Sequence, residues 1–190
     1  MPVLTIFAGP NGSGKSSIIG RVDFVGRDHL LEADAIAGRT HAVPPRLAAI
    51  TAGREVLRRT QEYLKSGQDF AIETALSGNW TTGAIKQALA RHFFVRLVYI
   101  CLDNPEQCIR RVQERVAQGG HNVLNDDVRR RYSRSLSNLK QFVNVANATL
   151  LYDNSGPEPR LILEIRSGHV VRKSSDFPRW ARNLLEATRQ

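Results

Sequence analysis

The fold is decided by Gly9-Pro10-Asn11-Gly12-Ser13-Gly14-Lys15-Ser16, which fits the pattern G-x-x-x-x-G-K-S. This pattern forms a phosphate-binding loop (P-loop) when a strand precedes it and a helix follows it. The preceding stretch, Val3–Ala8, is apolar and rich in β-branched side chains, which predicts a buried strand. The residues after the motif, about 15–22, predict a helix. The context therefore predicts a P-loop that binds a nucleotide.

Each part of this loop has a role in holding a nucleotide. Its glycines let the backbone turn N–H groups toward the β-phosphate, and the following helix adds its positive N-terminal end. Lys15 can bridge the β- and γ-phosphates, and the Ser16 hydroxyl can bind Mg²⁺. We therefore expect ATP and Mg²⁺ as cofactors, with Lys15 catalytic and Ser16 a metal ligand. The expected nucleotide-binding residues are Gly9, Pro10, Asn11, Gly12, Ser13, Gly14, Lys15, Ser16 and Ser17.

Strands and helices alternate along residues 1–153. After Val3–Ala8, the predicted strands are Leu30–Glu32, 70–72, 94–102 and 149–152, and the predicted helices between them cover about 44–67, 80–91, 105–118 and 126–145. This alternation predicts an α/β fold, a three-layer P-loop NTPase with a mostly parallel, five-stranded sheet. We expect a single domain over residues 1–190, because no linker divides it.

The C-terminal extension, about 157–190, has a different pattern. Ser167-Gly168 predicts the turn of a small β-hairpin over about 160–171, and residues 178–187 predict a closing helix. We expect this segment in addition to the five-stranded sheet, either as a site of partner contacts or as a cover for a sheet edge.

The composition of the 190 residues excludes several classes of protein. No apolar run approaches the roughly 20 residues that span a bilayer, and the N-terminal stretch lacks the pattern of a signal peptide. We therefore expect a cytoplasmic protein without a membrane partner. Cys101 and Cys108 have no His or Cys neighbours at zinc-ligand spacing, so we expect reduced thiols and no zinc site.

The formal net charge is +9, which is high for this length. Nucleic-acid binding, a polyanionic small substrate and an acidic protein partner each account for such a charge. Many of the arginines are concentrated in two stretches, 110–115 and 129–134, and no basic tail stands out. This distribution favours phosphate handling within a site, and the other two alternatives stay open.

Acidic residues follow several of the predicted strands. Ligands of an open α/β sheet lie beyond the carboxyl ends of its strands, where Asp34, Glu73 and Asp103 are expected. A phosphoryl acceptor needs a carboxylate that takes the proton of its hydroxyl, and Asp34 is our candidate for that base. Asp34, Glu73 and Thr74 are expected to bind the acceptor. The alternatives are that Asp34 caps a helix and that Glu73 is a solvated strand end, and we assign Asp103 to helix capping.

The two arginine stretches flank the loop Gly119-Gly120-His121, which predicts a hinged lid over about 111–134. Mobile guanidinium groups would spread the charge of the transferred phosphoryl group, and the closed lid would exclude water. A solvated basic helix pair and phosphate contacts to nucleic acid are the alternatives. The residues assigned to this lid are the catalytic Arg115, Arg131 and Arg134 and the acceptor-binding His121 and Arg130.

Four segments, 8–17, 31–37, 70–78 and above all 114–139, resemble the zeta-toxin-like P-loop kinases. The resemblance is to the short bacterial branch often labelled predicted ABC-type ATPase, and it covers about residues 1–155. It implies a sheet like that of adenylate kinase, ATP with Mg²⁺ as phosphoryl donor, and an antitoxin protein as a partner where the member is a toxin. The best-known members act on a sugar hydroxyl of UDP-N-acetylglucosamine. Carried onto this chain, the resemblance assigns nucleotide and metal to Lys15 and Ser16, the general base to Asp34, and the acceptor site to Glu73 and Thr74.

Three other interpretations of the P-loop compete with this kinase. An ABC-type mechanical ATPase would begin a helix at Leu76-Ser77-Gly78 and end the next strand in Asp-Glu, whereas here Asn104 follows Asp103. A GTPase-like switch would need an N/T-K-x-D element, which the sequence lacks. A nucleic-acid-binding P-loop ATPase or polynucleotide kinase is the alternative that the charge of +9 keeps open.

Overall fold

The computed structural model describes residues 1–38, 44–120, 122–143, 145–182 and 184. The strands within these residues are β1 (Val3–Ala8), β2 (Leu30–Glu32), β3 (Phe70–Thr74), β4 (Phe94–Cys101), β5 (Ala148–Asp153), β6 (Arg160–Arg166) and β7 (His169–Lys173). The helices are α1 (Lys15–Arg21), α2 (Ala33–Gly38), α3 (Pro45–Ser66), α4 (Asn79–Ala90), α5 (Pro105–Ala117) and α6 (Asn125–Phe142). The strands form one sheet in the order β2-β3-β1-β4-β5-β6-β7.

The first five strands are parallel. β1 pairs with β3 and β4, β2 pairs with β3, and β4 pairs with β5, each in parallel register. Parallel neighbours need crossover connections, and the helices between the strands supply them. The predicted α/β P-loop NTPase fold with a mostly parallel sheet is confirmed.

The prediction of a five-stranded sheet was wrong, because the C-terminal hairpin joins the sheet. β6 pairs antiparallel with β5, and β7 pairs antiparallel with β6. Ser167 and Gly168 have φ angles of 48° and 79°, as in the tight hairpin turns that match the twist of strands. Leu163 and Ile165 are fully buried, so β6 extends the core. The described sheet therefore has seven strands.

Local signals in the sequence set most helix boundaries. Pro45 begins α3, and Gly67 follows its end with a φ of 67°. The Asn104 side chain accepts a hydrogen bond of 3.0 Å from the backbone N–H of Gln107 and so caps α5, as an Asn before a Pro favours. The assignment of this cap to Asp103 was therefore wrong. α2 was not predicted. The predicted C-terminal helix is described only as the 3₁₀ helix Arg179–Ala181, because residues 183 and 185–190 lie outside the described part.

The two faces of the sheet are covered unequally. One face packs against α3, α4, α5 and α6, each of which contributes a buried apolar side chain to one cluster: Val56, Ile85, Val112 and Leu139. On the other face, Ile18 and Ile19 of α1 pack against Phe7, Val98 and Ile100. The P-loop lies where β1 passes into α1, at the carboxyl edge of the sheet. No helix of the described chain is both long enough and apolar enough to cross a membrane.

Candidate active site

An open cleft of about 540 Å³ lies at the carboxyl edge of the sheet, where ligands of open α/β proteins bind. It lies between the P-loop, the ends of β2 and β3, and one side of α5. The residues lining it are Asn11, Gly12, Gly14, Lys15, Ser16, Ser17, Glu32, Asp34, Ala35, Glu73, Arg111, Glu114, Arg115 and Asn154. The structure thus brings most of the predicted nucleotide-binding residues together with Asp34, Glu73 and Arg115.

Two positions of the P-loop have room only for glycine, because a neighbouring backbone or side chain lies too close for a Cβ atom. Gly12 has a φ of +78°, and a Cβ atom there would lie 2.3 Å from the carbonyl oxygen of Cys108 in α5. Gly14 has a φ of +94°, and a Cβ atom there would lie 2.2 Å from the Asn154 Nδ2 atom. Any side chain at either position would meet both a disfavoured backbone conformation and a steric clash. The loop therefore lies in direct contact with α5 and with the residue that follows β5.

Asn154 is a site residue that the sequence analysis missed. Its side chain is buried and donates a hydrogen bond of 2.8 Å from Nδ2 to the carbonyl oxygen of Ser13. Its own backbone accepts a hydrogen bond of 2.9 Å from the Arg111 guanidinium. Its position directly after β5, at the carboxyl edge of a parallel strand, is the signal that could have identified it. Asn154 joins the P-loop to an arginine of α5.

The Lys15 ammonium group lies at the base of the cleft. It donates hydrogen bonds of 2.9 Å to the Gly9 carbonyl and 3.1 Å to the Pro10 carbonyl, and it lies 3.5 Å from Glu73 Oε1. Only 6% of Lys15 is exposed, so these contacts compensate a charge that is otherwise costly to bury. Phosphate oxygens entering the cleft would compete with the same carbonyls for the ammonium protons.

The structure separates the acids that the sequence placed at strand ends. Glu73, which was predicted to follow the strand, lies within β3 and beside Lys15. Asp34 lies in the first turn of the unpredicted helix α2 and is exposed, and it still lines the cleft. The end of β2 is occupied by Glu32, which was not predicted and is the register partner of Glu73. The strand-end rule could have identified Glu32, since it is an acid that directly follows the apolar Leu30 and Leu31.

A second, smaller pocket of about 230 Å³ adjoins the cleft. Asn11, Lys15, Asp34 and Glu73 line both spaces, and Trp80 and Arg131 line only the smaller one. The smaller pocket is also lined by Ala33, Thr74, Ala75, Ser77 and Gly78. The side chains that could act on a reacting group therefore lie on the boundary between two pockets.

Thr74 shapes this smaller pocket through its own hydrogen bonds. Its hydroxyl accepts a bond of 3.1 Å from the Leu76 N–H and lies 3.2 Å from the Thr81 hydroxyl. Its carbonyl accepts a bond of 3.2 Å from the Gly9 N–H. Thr74 consequently ties the end of β3 to the first residue of the P-loop.

The predicted lid arginines fall into two groups. Arg111 and Arg115 line the larger cleft, and Arg131 donates a hydrogen bond of 3.2 Å to the Asn11 side-chain oxygen in the smaller pocket. Arg130 is exposed and pairs with Asp127 at 2.6 Å, and Arg134 is exposed and lines neither space. His121 lies outside the described residues.

The cysteines have no role in this chemistry. Burial raises the pKa of the Cys101 thiol well above its ordinary value, and it raises the pKa of Cys108 to about 12 despite the nearby charges of Lys15 and Arg111. Both thiols therefore stay protonated and poorly nucleophilic at neutral pH. Within the described ranges, no three His, Cys, Asp or Glu side chains are arranged to hold a metal ion by themselves.

The contact between Gly14 and Asn154 predicts a sharp effect of one methyl group. We expect Gly14→Ala to weaken nucleotide binding by at least about tenfold, because the added Cβ would displace Asn154 or the loop. Gly20→Ala is the matched control, since nothing lies within 4 Å of its Cβ position and alanine favours the helix. Calorimetric titration with ATP and Mg²⁺ measures both variants. Equal affinity of Gly14→Ala and the unaltered protein would show that the loop tolerates a side chain there.

Comparisons with known proteins agree with this fold. A family model described as an AAA domain, AAA_33, matches residues 4–139. An uncharacterized protein of Haemophilus influenzae is 35% identical over 127 residues, which are 66% of this chain and 89% of that protein.

Three solved structures are similar in fold. A candidate kinase from Chloroflexus aurantiacus has a TM-score of 0.52 at 20% identity, over 70% of this chain and 80% of that one. A structure from the PezAT chromosomal toxin–antitoxin system of Streptococcus pneumoniae has a TM-score of 0.64 at 12% identity, over 99% and 84%. The AvrRxo1-ORF1:-ORF2 complex with ATP has a TM-score of 0.71 at 14% identity, over 99% and 64%. At identities of 20% or less, these structures show a similar fold and no more. Because the family model matches residues 4–139, which are most of the chain, this protein belongs to the AAA domain family AAA_33 and has its P-loop NTPase-like fold.

Proposed function

We propose that this protein is an ATP- and Mg²⁺-dependent phosphotransferase of the zeta-toxin-like kind, which phosphorylates a hydroxyl of a small phosphorylated or nucleotide-sugar acceptor. The observation that carries the proposal is the pair of adjoining pockets that share Lys15, Asp34 and Glu73. The P-loop borders the first pocket, and both carboxylates border the second. A protein that only hydrolyses ATP has no need of the second pocket.

The donor side follows from the geometry of the loop. The N–H groups at the start of α1 and the Lys15 ammonium would hold the β- and γ-phosphates. The Lys15 ammonium would exchange its hydrogen bonds to the Gly9 and Pro10 carbonyls for bonds to phosphate oxygens. Glu73, which lies 3.5 Å from the ammonium group, would limit how far it moves. Arg111 and Arg115 would add positive charge from the α5 side of the cleft.

Mg²⁺ fits the donor set of this cleft. Ser16 contributes a hydroxyl, and Glu32, Asp34 and Glu73 contribute carboxylate oxygens to the same lining, all of them hard ligands of the kind that Mg²⁺ prefers. We assign the direct protein ligand to Ser16, with the nucleotide phosphates completing the coordination. When bound, the ion neutralises charge on the transferred phosphoryl group.

The transfer step needs one base. Asp34 would accept the proton of the acceptor hydroxyl as the new O–P bond forms, and the bond to the β-phosphate would break to release ADP. Arg115 and Arg131 would stabilise the charge on the phosphoryl group from the two pockets. Arg130 and Arg134 line neither pocket, so we withdraw them from direct roles in this arrangement.

The smaller pocket limits the acceptor. At about 230 Å³ it suits a single sugar or a group of similar size, and Trp80 offers an apolar wall for the carbon face of a ring. Hydroxyls of the ring would find Asp34 and Glu73, and a negatively charged substituent would find Arg131. We propose UDP-N-acetylglucosamine as the first acceptor to test, because the resemblance to zeta toxins suggests it.

We also propose that a small protein partner controls this activity. One of the similar folds comes from the PezAT toxin–antitoxin system and another from the two-protein assembly AvrRxo1-ORF1:-ORF2, which supports the proposal of a protein partner such as an antitoxin. An acidic partner would also account for part of the net charge of +9.

Incubation with ATP, Mg²⁺ and a panel of acceptors tests the activity. We expect mass spectrometry to detect a gain of about 80 daltons, one phosphoryl group, on a nucleotide sugar or another small hydroxyl compound. Transfer to oligonucleotides alone would establish the polynucleotide-kinase alternative instead. ATP hydrolysis that no acceptor stimulates would contradict the phosphotransferase proposal.

The role of Asp34 has its own test. We expect Asp34→Asn to retain ATP affinity but to lower kcat for transfer by about a hundredfold or more, since the amide cannot accept the proton. Asp28→Asn is the matched control, because Asp28 is also exposed and lies in the short helix Arg27–His29, away from both pockets. An unchanged kcat in Asp34→Asn would show that Asp34 is not the base and has only a structural role in helix α2.

Arg131 should affect turnover more than binding. We expect Arg131→Ala to lower kcat by roughly a hundredfold with little change in ATP affinity, because its charge would act on the transferred group. Arg91→Ala is the matched control and should leave kcat unchanged, because Arg91 is exposed and its guanidinium donates a hydrogen bond to the Gln87 side chain at the end of α4, away from both pockets. Equal kcat values for the two variants would make Arg131 a structural contact to Asn11.

A further inference from the structure

A second cleft, separate from the two pockets of the candidate active site, has a volume of about 500 Å³. It lies on the face of the sheet that α1 covers only in part. Its floor includes Phe7 of β1, Val98 of β4, and Leu150 and Tyr152 of β5. One wall is the end of α1 and the segment after it, with Ile18, Val22 and Phe24. On the opposite side the floor continues onto β6, with Glu164 and Arg166. None of its lining residues lines the candidate active site.

The open floor is unusual for parallel strands. Parallel sheets occur almost only where helices cover both faces, and β4 and β5 are a parallel pair. On this face the described chain supplies α1, whose seven residues extend only about 10 Å. Leu150 and Tyr152 are left half-buried beside it. Among the residues that the structure describes, part of one covering layer is therefore missing.

The dimensions of the gap suit a single helix. The floor extends across β1, β4, β5 and β6, which are neighbours in the sheet, and three strand spacings are about 14 Å. A helix with its side chains is about 10–12 Å wide. One helix lying beside α1 would therefore cover the apolar floor between α1 and β6.

The charge of the cleft indicates which helix would fit. Its two acids are already compensated, since Asp23 lies 3.8 Å from Arg27 and Glu164 lies 2.6 Å from Arg166. The Arg96 guanidinium instead lies over the Phe94 ring, 5.9 Å from its centroid, at the side of the floor. The described lining thus has two acids and two arginines, and Arg96 is the one of these four for which the structure shows no ion pair.

We propose that this second cleft binds an amphipathic helix of a partner protein. The apolar face of the helix packs on Leu150 and Tyr152, and carboxylates along its edge pair with Arg96. A second copy of this chain does not meet these conditions, because the acids of its own cleft are already paired and a net charge of +9 on each copy opposes the contact. The proposal does not depend on the phosphotransferase activity, since the two sites share no residues.

Photo-crosslinking in the organism that encodes the protein identifies the partner. The full chain carries benzoylphenylalanine in place of Leu150, and a matched chain carries it in place of the exposed Lys86 of α4, on the opposite face of the sheet. We expect the Leu150 position alone to cross-link to one protein, through a peptide with acidic and apolar residues at helical spacing. Cross-links only to a second copy of this chain, the same products from both positions, or no product would overturn the proposal.

Affinity measurements then test the assigned contacts. The captured protein is purified and titrated by calorimetry against the unaltered chain, Arg96→Glu and Lys86→Glu, which carry the same change of charge on opposite faces. We expect at least a tenfold loss of affinity for Arg96→Glu, about 1.4 kcal/mol, and a change below about twofold for Lys86→Glu. If Arg96→Glu does not fold by circular dichroism, Arg96→Gln replaces it. Equal affinity of the folded Arg96 variant and the unaltered chain would contradict the proposal.

Discussion

The site depends on the close contact of a glycine loop with one neighbouring backbone and one buried side chain. Gly12 leaves room for the Cys108 carbonyl of α5, and Gly14 leaves room for the Asn154 side chain. Because these positions have no Cβ atom, α5 packs directly on the loop. The same helix carries Arg111 and Arg115, so the packing that shapes the phosphate cradle also sets the place of its arginines. The packing of α5 on the loop thus determines both the shape of the cleft and the position of its arginines.

The second element of the site is a buried positive charge with adjustable partners. Lys15 is held by two loop carbonyls and by Glu73, all within 3.5 Å. Each of these contacts is weaker than the interaction of an ammonium with a polyphosphate, so the proposed substrate can replace them without unfolding the loop. Glu73 also borders the smaller pocket, which places the negative partner of Lys15 between the proposed donor and acceptor.

The sequence alone was sufficient to predict structure where a local pattern is compatible with only one backbone conformation. The loop motif, the Asn104 cap and the turn at Ser167-Gly168 each require a particular backbone, and the structure has them. Contacts between distant segments were not predictable in the same way. Asn154 bonds to Ser13 across a sequence separation of 141 residues, and only the packing of β5 beside β4 brings the two together.

The same reasoning explains the other differences. Joining the hairpin to β5 depends on Leu163 and Ile165 facing the core, which the alternation of β6 allows but does not require. The arginines of α6 follow one another closely in sequence, yet the turn of a helix directs Arg131 to Asn11 and leaves Arg130 with Asp127 on the surface. Charge clustering in the sequence could not separate these neighbours.

Titration with ATP and Mg²⁺, followed by NMR of the loop amides, tests the central claim most directly. The account predicts saturable binding with large shifts of the Gly12, Gly14 and Lys15 amide signals, and little change in β7. A folded sample that shows neither binding heat nor shifts in the loop would contradict it.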